Sequence, residues 1–125
     1  MKKIINTSNA PAAIGPYSQA VEANGMLFIS GQIPINPQVG KIEATEITSQ
    51  TEQVFANIGA ILNEAGYSFS DVVKSTVFLS DMADFAGMNE VYKNYYASEC
   101  PARSAFAVKG LPLGALVEIE TIAAK

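Results

Sequence analysis

The sequence contains no histidine and no tryptophan, and its 125 residues include one cysteine, Cys100. Each absence removes a class of chemistry. Zinc sites built from cysteine and histidine have too few ligands to draw on. The Ser–His–Asp and Cys–His nucleophile arrangements lose their general base. A lone cysteine forms no internal disulfide, which fits a reducing compartment. No run approaches the ~20 apolar residues of a membrane span. The amino-terminal stretch MKKIINTSNAPAAIGPYSQA starts on a basic note but lacks the apolar segment of a secretory signal. Neither a G-x-x-x-x-G-K-[ST] phosphate loop nor a G-x-G-x-x-G fingerprint is present. Chemistry in this chain must rest on carboxylates, arginine, hydroxyls, backbone amides and water.

What is present points to one globular unit. Hydrophobic residues make up 49% of the chain and charged residues 16%, enough apolar material to fill a core and too little charge for disorder. The length suits a single domain over residues 1–125. A net charge of -4 repels phosphate backbones, so neither a nucleic-acid nor a membrane partner is expected. The expected location is the cytoplasm.

Hydrophobic spacing orders the elements. Lys3 to Ile5 reads as a short strand. Pro11, Gly15 and Pro16 then impose a loop. Asn24-Gly25 between Gln19–Ala23 and Met26–Ser30 is a strong hairpin signal, with Gly31 and Pro34 ending the second strand. Residues 36–45 read as a polar connection. Ile47, Val54, Phe55, Ile58, Ile61, Leu62 and Ala65 recur at helical spacing, with Thr45, Thr48 and Ser49 competing as N-cap and Gly66 placed as a left-handed C-cap. The β-branched run DVVKSTVFLS reads as a strand. Asp81 opens a second helix with the stripe Phe85, Met88, Tyr92, Tyr95 and Tyr96, closed by Pro101. Strands near Arg103–Val108 and Leu116–Ala123 follow, joined by KGLPLG.

This β-ββ-α-β-α-ββ order predicts an α+β fold, a mixed sheet with two helices packed on one face. In the last strand Val117, Ile119, Thr121 and Ala123 point one way, and Leu116, Glu118, Glu120 and Ile122 the other. Both sides carry apolar residues, so the side away from the helices is expected to meet another subunit.

Several residues stand out from this frame. Arg103 opens a strand, and Glu118 and Glu120 share one side of the next. The bland reading is a salt bridge that fixes register or a subunit contact. The functional one uses the arginine fork to grip a carboxylate while a glutamate orients water. If the two last strands formed a hairpin, Arg103 would land near the far end of the last strand, away from the glutamates. Ser30 and Gly31 sit at a strand end where backbone amides can receive an anion, or they simply make a turn. Tyr17 walls a pocket or fills a loop. Cys100 precedes a proline with no activating cation except Arg103, which favours an incidental role.

The motifs AIGPYSQAV, NGMLFISGQIP, QTEQVFANIGAILNEAG, VVKSTVFLSDM and PARSAFAVKGLPLGALVEIE together make the chain resemble the reactive intermediate deaminase family (RidA, YjgF-like), along nearly its whole length. That resemblance implies a chorismate-mutase-like fold and a homotrimer with three clefts between subunits. It implies hydrolysis of 2-aminoacrylate and related 2-imino acids, shed by pyridoxal-phosphate enzymes, to 2-oxo acids and ammonia. No cofactor and no metal are expected. By likeness Arg103 binds the substrate carboxylate, the Ala105 amide assists, and Glu118 holds the attacking water. Tyr17, Ser30 and Gly31 line the cleft, with Tyr17 arriving from the neighbouring subunit. Ala105 stands where many relatives carry a cysteine, which leaves a backbone donor but no thiol. A rival reading is a non-catalytic trimer that binds 2-oxo acids and regulates partners. A third, the ribonuclease activity ascribed to some relatives, is opposed by the acidic balance and the absent histidine.

Overall fold

A computed structural model describes residues 1–125. Six strands form one sheet: β1 (Lys3–Ile5), β2 (Ala20–Ala23), β3 (Met26–Gln32), β6 (Val72–Leu79), β7 (Ala102–Ala107) and β8 (Val117–Ala124), in the spatial order β1-β2-β3-β8-β6-β7. A two-stranded ribbon, β4 (Ile35–Asn36) and β5 (Lys41–Ile42), stands apart, starting one residue before the stretch expected to be a plain connection and otherwise within it. The helices are α1 (Ile47–Ala65) and α2 (Phe85–Tyr92). The α+β class and mixed sheet therefore match the expectation. All neighbours in the large sheet run antiparallel except β6 and β7.

That exception corrects the idea of a C-terminal hairpin. β7 lies beside β6, and β8 lies on β6's other edge, paired on its far side with β3. A parallel pair needs a crossover, and α2 supplies it between β6 and β7. Local signals elsewhere act as read. Asn24 and Gly25 take φ of 53° and 75°, the paired left-handed turn that a tight hairpin demands. Gly66, at φ 81°, ends α1, its amide bonding Asn63 O and that of Tyr67 bonding Leu62 O.

The helix starts differ. α1 begins after Glu46, with no side-chain cap from Thr45, Thr48 or Ser49. Instead Gln50 Nε2 reaches back to Ala44 O at 3.0 Å. Asp81 does cap, accepting from the Ala83 amide at 2.9 Å, but the turn it opens is a 3₁₀ turn over Met82–Asp84 that leads into α2. α2 ends at Tyr92, well before Pro101. Tyr95 and Tyr96 are packed from the segment beyond it.

Both helices cover one side of the sheet. Leu27, Ile29, Val77, Leu79, Val117, Ile119 and Ala123 face Val54, Phe55, Ile58, Ile61, Leu62 and Met88 in one core. The alternation read along β8 holds: Val117, Ile119, Thr121 and Ala123 are buried, whereas Glu118, Glu120 and Ile122 lie on the open side. At the centre Phe55 stacks on Tyr95 (4.3 Å between centroids) and meets Tyr92 and Tyr96 edge-on. Phe55→Ala removes this hub and leaves a cavity, so a loss of about 3–5 kcal/mol is expected, read as a lower urea midpoint with an unchanged slope.

The other side of the sheet is bare. Ile4, Phe28 and Phe106 are exposed there, and Phe106 meets Phe78 edge to face at 5.5 Å. No helix of the chain is long and apolar enough to cross a membrane.

Candidate functional site

β3 does not stop at Ser30. It continues to Gln32, and its pairing with β8 slips between Ile29 and Gln32, so Ser30 and Gly31 form a bulge inside the sheet rather than a strand end. Such bulges re-aim side chains. Here the bulge lets the Glu118 carboxylate cross the backbone. A Cβ at position 31 would collide with Glu118 Oε2 and lie 2.9 Å from its Cδ. Glycine is required by that close approach, not by its dihedral angles.

The Tyr17 loop is tied to the same bulge. The Ser30 hydroxyl donates to Ser18 O at 2.6 Å, and its amide donates to Gln19 O. The buried Gln19 side chain accepts from the Thr7 amide at 2.7 Å and donates to Thr7 O and Pro11 O. One side chain thus pins residues 7–11 against β2, and no sequence pattern marked it.

These residues enclose an open cleft of about 560 Å³. Tyr17, Ser30, Gly31, Glu118 and Glu120 line it together, with Ile14 and Leu113 at its loops. Glu118 and Glu120 project from the same side of β8, and no cation of the chain pairs with either; the one ion pair is Lys93–Glu90. Burial raises the Glu118 carboxyl above its ordinary range, and the neighbouring Glu120 charge adds to the rise.

Arg103 and Ala105 are elsewhere. In the β6–β7 register Arg103 lies opposite Ser75 and Ala105 opposite Val77, both core-facing positions, whereas Glu118 lies opposite Phe78 on the open side. Arg103 and Glu118 thus project from opposite sides of one sheet, and the salt bridge within the chain does not form. The Arg103 guanidinium packs over α2. It sits 4.7 Å from the Tyr92 ring centroid and 5.4 Å from that of Phe85, and its Nη1 donates to Asn89 Oδ1 at 2.7 Å. Phe85, Asn89 and Tyr92 recur at i, i+4 and i+7, one helix face. The spacing is visible in the sequence, and the polar Asn89 beside an apolar stripe is its one signal of a polar partner. The guanidinium is exposed, and the Asn89 bond leaves most of its five donors unused.

Within the chain Tyr17 shares a cleft with Glu118, and Arg103 lies outside that cleft. The Cys100 thiol donates to Tyr96 O at 3.0 Å and lines no part of this cleft.

The chain is thus an α+β protein with an exposed arginine on the helix side of its sheet and a carboxylate-lined cleft on the other. The sequence pattern of the family described as "Endoribonuclease L-PSP" matches residues 7–125. A "RutC family protein PH0854" of Pyrococcus horikoshii is 57% identical across the whole chain and 99% of its own length. A mouse protein named "2-iminobutanoate/2-iminopropanoate deaminase" is 47% identical over 98% of this chain and 91% of its own. Among solved structures, a Yersinia pestis protein described as of the conserved Rid family matches with TM-score 0.97 and 48% identity, over all of both chains. E. coli TdcF with bound serine matches with TM-score 0.93 and 45% identity, over 98% of each chain. The chain belongs to the YjgF/RidA family.

Proposed function

We propose that the protein hydrolyses 2-imino acids, including the tautomer of 2-aminoacrylate, to 2-oxo acids and ammonia, in a homotrimer whose sites form between chains. The observation that carries this reading is the split of the charged groups. An unpaired Arg103 on one side and an unpaired Glu118 on the other make a complete acid-binding hydrolytic site only when two copies meet. The bare apolar side of the sheet gives a second copy somewhere to dock. The mouse deaminase and the serine-bound TdcF support a small α-amino-acid-like ligand.

The chemistry asks for little. Arg103 holds the substrate carboxylate through its fork, already oriented by Asn89 and the two rings. Water adds to the imine carbon as Glu118 takes one of its protons. That proton passes to the imine nitrogen to complete the carbinolamine; Glu118 then accepts the hydroxyl proton as the carbonyl forms and delivers it to the nitrogen as the C–N bond breaks and ammonia leaves. The sum is imine plus water to ketone plus ammonia, with Glu118 restored. Holding the reactants in line accounts for much of the acceleration.

The test couples a pyridoxal-phosphate serine or threonine dehydratase to the protein and follows decay of the released enamine and imine. Wild type is expected to speed decay, and Arg103→Ala to lose the effect while keeping its oligomeric state. No acceleration by wild type, with 2-oxo acid binding retained, would favour the non-catalytic sensor. Dissociation of Arg103→Ala into monomers would make Arg103 an interface residue.

A further inference from the structure

The cleft has a chemically divided wall. Ser30, Gly31, Glu118 and Glu120 occupy the sheet side, while Ile14, Ile33, Ile35 and Leu113 supply aliphatic surface. Leu113 is the anomaly among them. Its φ of 56° and that of Gly114, 69°, make two consecutive left-handed residues in the loop between β7 and β8. A γ-branched residue pays for that backbone in steric strain that asparagine or glycine would largely avoid. Leu113 is also 73% exposed and Ile14 87%. Single exposed apolar side chains are ordinary, but two at the mouth of one cleft that already holds the carboxylates are not. On local grounds leucine is disfavoured at this position, so its presence calls for a role beyond the loop's own backbone.

We infer that Leu113 and Ile14 form an aliphatic subsite that selects 2-imino acids by the length of their side chain, favouring those longer than 2-iminopropanoate. The inference rests on the reading under Proposed function and adds its substrate preference. A cleft of about 560 Å³ lies in the range that takes drug-sized ligands. With the reacting carbon near Glu118, a longer alkyl group extends toward the loops. Each methylene taken from water there is expected to raise kcat/KM about fourfold.

The experiment generates imines in place with an amino-acid oxidase from alanine, 2-aminobutyrate, norvaline and leucine. It measures kcat/KM by competition with semicarbazide. In wild type the leucine-to-alanine ratio is expected to exceed about tenfold. In Leu113→Asn, which suits the left-handed backbone, the ratio is expected to fall toward one. Ile14→Ser, in a loop, is the second variant and should lower the ratio in the same direction. A wild-type ratio near one, or a ratio unchanged in both variants, overturns the inference. So does loss of the oligomer in Leu113→Asn, because the leucine would then serve the subunit contact. If wild type hydrolyses no imine, the parent reading fails alone. Calorimetric binding of pyruvate, 2-oxobutanoate and 4-methyl-2-oxopentanoate then decides the subsite, with affinity rising with length in wild type and flat in Leu113→Asn if it stands.

Discussion

Mixing two dead variants should give a live enzyme. Arg103→Ala and Glu118→Gln are each expected to be inactive alone. Unfolded together in equal amounts and refolded, they should regain about a quarter of wild-type activity, because in the proposed closed ring each site would draw Arg103 from one chain and Glu118 from its neighbour. The fraction follows from independent choice: a site is intact only when one neighbour is the Glu118 variant and the other the Arg103 variant. The structure motivates the experiment directly. Arg103 is oriented by α2 on the helix side of β7, and Glu118 points to the open side of β8. No rotamer change carries a side chain through a sheet. If both groups served one site within a chain, every mixed assembly would stay dead. Zero recovery, with mixed oligomers shown by mass spectrometry, would therefore remove the intersubunit site while leaving the fold and family untouched.

The same register explains what the sequence shows and what it hides. The Asn24-Gly25 turn, the Gly66 cap and the α1 stripe are legible because each depends on residues within a few positions of one another. The two-sided character of β8 is legible for the same reason, since strand side chains alternate with period 2. The place of β7 is not. Whether it pairs with β8 or crosses over to β6 depends on α2 packing against the sheet, and the parity of that pairing decides which side Arg103 faces. Proximity in sequence leaves a hairpin of PARSAFA and VEIE open, and the tertiary crossover excludes it. The residues that orient Arg103 were hidden likewise. Phe85 and Tyr92 read as part of an apolar stripe that omits Asn89, and only the position of β7 turns the three into a seat for a guanidinium. Ser30 and Gly31 read as a strand end. Their part as a bulge that admits the Glu118 carboxylate depends on β8, which lies almost ninety residues further along the chain.

Glu118 should leave a signature in the pH dependence. Its carboxyl is raised by burial, and next by the charge of Glu120. The proposed role needs the ionised form, so the acid limb of kcat/KM is expected above the ordinary carboxylate range of about 4.3. Glu120→Gln removes the like charge, and the limb should move to lower pH while the activity at its plateau stays measurable. Glu118→Gln should reduce kcat/KM by about 10²–10⁴ and abolish that limb altogether. The stability effect carries the opposite sign to the activity. A carboxyl whose folded value lies above its unfolded one binds more protons in the folded state, so its contribution is present below the unfolded value and is lost as pH rises through the folded one. Glu118→Gln should therefore flatten part of the decline in stability over that window even as it removes catalysis. A group that makes the fold less stable in the form that works is a mark of a functional site. If Glu118→Gln kept both the activity and the acid limb, Glu118 would not be the group that handles the water, and Glu120, which lines the same cleft, would be the next carboxylate to replace.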